Sequence, residues 1–88
     1  MAVETKLSLY YYDSCSYCRR VLHELEFLAV SFEKRNILQD DKHYQDLQKC
    51  GGDTMVPCLL IEEDGRQEWM YESRDIIQYL REHYSGSD

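Results

Sequence analysis

Two thiols stand three positions apart in Cys15-Ser16-Tyr17-Cys18, where a β-rich run gives way to an amphipathic one. A thiol at the start of a helix faces unsatisfied backbone N–H groups and the positive end of the helix dipole, and both stabilise a thiolate. Cys18, one turn along, brings its sulfur to the same end of the helix. Such a pair can close and open a disulfide without refolding the domain, and Arg19 and Arg20 add positive charge nearby. Two other uses compete. A zinc site would need Cys50 and Cys58, which have seven residues between them, whereas structural zinc knuckles usually have about two to four. Inert buried thiols are the other alternative, and these rarely fall as C-x-x-C between a strand and a capped helix.

Two further segments carry candidate chemistry. Pro57 is the only proline, in Met55-Val56-Pro57-Cys58, where it suits the first residue of a strand. A cis Val56–Pro57 bond is its functional reading; proline alone favours trans, and the upstream C-x-x-C reverses that preference. In Tyr71-Glu72-Ser73-Arg74-Asp75-Ile76-Ile77, Ser73 is the expected cap of a helix. Its hydroxyl and the free N–H groups make an anion site, and the Glu72 carboxylate beside it suits an ammonium. The plainer reading is a capped helix with Glu72 in solvent. Cys58 is expected in the core and Cys50 near the end of a helix, open there to a regulatory disulfide or glutathionylation. His23, His43 and His83 have no ligand spacing and read as solvated.

The elements that must hold these residues follow from periodicity. Lys6–Tyr12 alternates Leu7, Leu9 and Tyr11 to one side, as a strand does, with Asp13 and Ser14 as turn or cap candidates. Val21, Leu22, Leu25, Leu28 and Ala29 recur at helical spacing, so a helix is expected from Ser16 to about Ala29. Val30–Arg35 reads as a second strand and Asp40–Lys49 as a short polar helix ended by Gly51-Gly52. Cys58–Glu62 and Gln67–Tyr71 form strands around the turn Glu63-Asp64-Gly65. The last helix presents Ile76, Ile77, Leu80 and Tyr84 inward. A βαβ unit needs parallel strands and the hairpin antiparallel ones, which predicts an α/β fold with a four-stranded mixed sheet and helices on both faces.

The chain has 88 residues, 43% hydrophobic and 31% charged, which is the composition of one globular domain, residues 1–88, with 85–88 a loose tail. A formal net charge of -7 argues against nucleic-acid and anionic-membrane binding, both of which need a cation surplus. No apolar run approaches the ~18 residues of a membrane span, and Met1–Lys6 lacks the layout of a secretory signal. A cytoplasmic monomer is expected.

From Cys15-Ser-Tyr-Cys18-Arg19, Val56-Pro57 and the elements between them, the chain resembles the glutaredoxins over about residues 6–84. The resemblance implies a thioredoxin-like βαβ-α-ββα fold with Cys15 as nucleophile and Cys18 as resolving thiol. It also implies that Val56 offers its backbone to the cysteinyl part of glutathione beside a cis Pro57, with Tyr17 flanking. The expected partners are glutathione, as co-substrate, and protein disulfides or glutathionylated proteins; no metal is expected. Three departures stand out: Ser16 replaces the family's usual proline, Tyr12 stands where a lysine is common, and the usual Gly-Gly-x-Asp is absent. In place of the last, Glu72-Ser73 looks like the segment of glutathione-transferase N-terminal domains in which serine holds the γ-glutamyl carboxylate and glutamate its amine. Ser16 leaves open a dimer holding a [2Fe–2S] cluster through Cys15 and glutathione. The isolated N-terminal half of a transferase is the other alternative. Conjugation to an electrophile is not expected of it, because those enzymes add a helical domain and this chain stops near Tyr84.

Overall fold

The computed structural model describes residues 5–84. The chain runs β1 (Thr5–Tyr11), α1 (Ser16–Phe27), β2 (Glu33–Asn36), α2 (Asp41–Asp46), β3 (Cys58–Glu63), β4 (Arg66–Tyr71) and α3 (Ser73–Tyr84), with one π-helical turn, Leu47–Gly51, extending α2. The sheet order is β2-β1-β3-β4. β1 runs parallel to β2 and antiparallel to β3, and β3 is antiparallel to β4. This is a thioredoxin-like fold, as the resemblance implies, with the mixed sheet that the periodicities predict. The tail expected at 85–88 lies outside the described residues.

β1 is central and therefore buried on both faces. Leu7, Leu9 and Tyr11 pack on one side with Cys15, Cys18, Val21 and Leu25 of α1 and its cap, and with Ile76 and Leu80 of α3. Tyr10 points to the other side, where Ile37, Leu47, Cys58 and Leu60 form a smaller core. One strand thus contributes to both cores, which is why Tyr10 is as deeply buried as its apolar neighbours. Asp64 and Gly65 both adopt positive φ, 55° and 78°, the pattern of a two-residue hairpin turn that matches the strand twist.

Element ends differ most from the periodicity at α1, β2 and α2. α1 stops at Phe27 because Ala29 turns left-handed, φ 56°, and the Val30 N–H donates back to the Leu25 carbonyl at 3.0 Å. Val30–Phe32 are then connection, and β2 begins only at Glu33. Asp40 caps α2 through Lys42 N–H at 3.0 Å, and the helix widens at Leu47 before Gly52 ends it with φ 85°.

Burial also sets a pH dependence. The thiols of Cys18 and Cys58 are pushed up from the ordinary 9.0 to about 12, burial being the largest cause in each. The hydroxyls of Tyr71 and Tyr79 rise from 10.0 to about 12, again chiefly through burial. In each case folding favours the neutral form, so the unfolded chain releases protons first as pH rises. Stability is expected to be intact below about pH 9 and to fall progressively as the pH climbs toward these raised values. A flat melting temperature across that window in a circular-dichroism titration would contradict it.

Candidate active site at one end of the sheet

Strand register brings the candidate residues to one edge. Tyr10 of β1 pairs with Cys58 of β3, which pairs with Tyr71 of β4. The residues that follow β1, precede β3 and follow β4 therefore emerge at the same end of the sheet. These are the approach to Cys15, the Val56–Pro57 dipeptide and Glu72-Ser73.

Cys15 itself is the N-cap of α1, in place of Asp13 or Ser14. Its backbone is extended (φ -84°, ψ 117°), its sulfur accepts the Cys18 N–H at 3.2 Å, and its carbonyl accepts the Arg19 N–H at 3.1 Å. The Cys15 N–H in turn donates to the Tyr12 carbonyl at 3.3 Å, closing the turn from β1. A sulfur in a capping position receives one of the helix's orphan N–H groups, a bond that strengthens with negative charge on the acceptor. Cys15 keeps 9% exposure, whereas Cys18, one turn along, has none. The raised Cys18 thiol stays protonated at neutral pH, with the hydrogen bond to Cys15 adding to the effect of burial.

The Val56–Pro57 bond is cis. Val56 packs against both cores, and Pro57 is buried. Tyr17 lies on the first turn of α1 with 61% exposure. Ser73 is the first residue of α3 and does not occupy the cap position; Glu72 does. The Glu72 carbonyl accepts the Ile76 N–H at 3.1 Å, and its φ is 72°. β4 passes into α3 through this single residue, so the reversal forces a left-handed backbone on an exposed glutamate.

Cys58 belongs to the core on the far side of the sheet from Cys18, and Cys50 is exposed on the π-helical turn. The four cysteines do not converge, and among the described residues no three His, Cys, Asp or Glu side chains gather as a metal site. Asn36 has a part that the motifs do not announce. It is buried at the end of β2, and its amide donates to Asp13 at 3.4 Å while its side-chain oxygen accepts the N–H groups of Leu38 and Gln39 at 2.9 and 3.2 Å. It ties the turn before Cys15 to the neighbouring strand. The only signal in the sequence is an asparagine where a strand meets a turn.

A family profile described as the N-terminal domain of glutathione S-transferase matches residues 9–88. The chain belongs to that family. Among solved structures, this transferase-type domain is similar to maleylacetoacetate isomerase from Anaeromyxobacter dehalogenans, solved with bound GSH in the active site. The TM-score there is 0.75 at 26% identity, over 96% of this chain and 40% of that one. An epsilon-class glutathione S-transferase from the housefly, Musca domestica, gives a TM-score of 0.74 at 30% identity over 94% of this chain and 37% of that one. A thioredoxin-like protein gives 0.69 at 21% identity, over 85% of this chain and 99% of that one, and speaks to the fold alone. No sequence among the curated proteins matches. This transferase-type domain therefore spans about two fifths of the length of the transferase and isomerase structures, 37–40%. Among its described residues no helix is long and apolar enough to cross a membrane.

Burial orders the thiols for a simple test. Iodoacetamide at neutral pH is expected to modify Cys15 and Cys50 and to spare Cys18 and Cys58, which have no exposed surface and raised thiols. Peptide mapping reads this directly; labelling of Cys18 in the native domain at a rate matching Cys50 would contradict the burial order.

Proposed function

We propose that this domain binds glutathione at the end of the sheet and uses Cys15 for thiol–disulfide exchange with it. The observation that carries the reading is the Cys15 sulfur capping α1 under the Cys18 N–H while keeping a little exposed surface. Family membership and the glutathione-bound relative support the ligand. Val56 offers its backbone to the cysteinyl part, Tyr17 flanks it, and Ser73 with the start of α3 takes the γ-glutamyl carboxylate, Glu72 its ammonium.

The Cys15 thiolate attacks the glutathione sulfur of a protein–glutathione mixed disulfide. A Cys15–glutathione disulfide forms, and the protein leaves as a thiolate that takes up a proton. A second glutathione thiolate then attacks the glutathione sulfur of that disulfide, releasing glutathione disulfide and restoring the Cys15 thiolate. Cys18 can attack Cys15 instead, closing Cys15–Cys18 and expelling glutathione, but it must first give up a proton that burial holds tightly. Release by the second glutathione is therefore the principal route.

Family membership favours a second reading, transfer of glutathione to an electrophile. The two separate on one substitution. Conjugation uses the thiolate of glutathione and should survive Cys15→Ser, whose hydroxyl can still hydrogen-bond that sulfur; disulfide exchange should not. Glutathione-linked reduction of a glutathionylated peptide and turnover of an aromatic electrophile, measured on both proteins, decide between them.

A further inference from the structure

Tyr71 ends β4, opposite Cys58, and its hydroxyl reaches across to the stretch that precedes β3. It donates to the Asp53 carbonyl at 3.0 Å. Gly51 presses on the same hydroxyl: a Cβ there would stand 2.5 Å from the Tyr71 oxygen and 3.0 Å from Trp69 Cε3. Val56 and Pro57 are anchored by packing, but few other hydrogen bonds tie the residues before them. Among the described residues, no backbone–backbone turn or loop bond involves residues 53–57, and the Asp53 carboxylate turns inward on the same loop to accept the Met55 N–H at 3.2 Å.

We propose that Tyr71 is a positioning residue for glutathione, its hydroxyl clamping the Gly51–Pro57 stretch so that the Val56 backbone is held in place for the ligand. The inference rests on the glutathione reading above and adds to it a residue that would touch no ligand atom. The next two residues along the main chain are Glu72 and Ser73. One tyrosine therefore fixes both halves of the subsite, the first through its side chain and the second through its backbone. The hydroxyl matters more than the ring: packing against the second core would survive its removal, whereas a backbone carbonyl would lose its donor.

The test compares the wild-type domain with Tyr71→Phe, using reduced glutathione as the probe. Affinity is read from protection of Cys15 against alkylation, and loop order from amide hydrogen exchange. The variant is expected to bind glutathione about 5–10-fold more weakly, as for one lost hydrogen bond, and to exchange the amides of residues 53–56 faster. Gly51→Ala should weaken binding as well, by driving a methyl into the hydroxyl. Its effect should shrink in the Tyr71→Phe background, where that oxygen is gone. Protection of wild type and Tyr71→Phe at the same glutathione concentration would overturn the role of Tyr71 while leaving the ligand in place. Failure of glutathione to protect even the wild type would overturn the ligand, and this role with it. Labelling of Cys18 in the variant would mark general loosening of the fold and would also overturn a local clamp.

Discussion

Cys15→Ser is expected to lower glutathione-linked reduction of a glutathionylated peptide by about 10³-fold or more, as removal of a nucleophile does elsewhere. An oxygen in this position is not ionised at neutral pH and forms no mixed disulfide, so the covalent intermediate is lost. The fold should be retained, because a serine hydroxyl is among the better helix caps and can take the same Cys18 N–H that now meets sulfur at 3.2 Å. Loss of activity with an unchanged melting temperature would thus isolate the chemistry. Cys18→Ser should keep most of the activity, since the route through a second glutathione does not need that thiol. Comparable activity in Cys15→Ser and the wild type would defeat the exchange mechanism outright.

Leu25→Ala is expected to have the largest effect on stability. Leu25 has no exposed surface and packs on α1 in the core that also holds Cys15, Cys18 and the α3 residues Ile76 and Leu80. Truncating such a leucine costs about 2–5 kcal/mol through lost transfer energy and the cavity left behind. At roughly 0.05–0.15 kcal/mol per residue, an 88-residue domain has only about 4–13 kcal/mol to lose. The melting temperature should fall by more than about 10 °C. Phe27, two residues on and 77% exposed, supplies the contrast: Phe27→Ala should change stability by no more than about 0.5 kcal/mol. Equal losses from the two would show that the α1 core face is wrongly assigned.

Local pattern carries some segments further than others. α1 is legible because its apolar residues recur at helical spacing, and β3–β4 because Asp64-Gly65 is a turn signal between two β-rich runs. β2 starts three residues later than its pattern suggests: Val30 and Phe32 are apolar and half-buried, which looks like a strand, but the left-handed Ala29 makes them a connection. Serine favours a cap position, which is why the sequence points to Ser73. The direct passage from β4 into α3 gives the position to Glu72, a conformational demand that no side-chain preference announces. The parts played by Asn36 and Tyr71 are hidden in the sequence because their partners, Asp13 and Asp53, are distant along the chain.

The sequence by itself determined the element types, the α/β class and the placing of a thiol at the start of α1. Each depends on residues within a turn or two of one another, where side-chain spacing and capping act directly. Tertiary structure decided which candidates meet. The antiparallel register of β1 with β3 and of β3 with β4 sets Val56–Pro57 and Glu72-Ser73 at the end of the sheet where α1 begins, and sends Cys58 to the opposite face. Register is fixed by burying both faces of β1 at once, a condition on the whole sheet that no short stretch of chain contains.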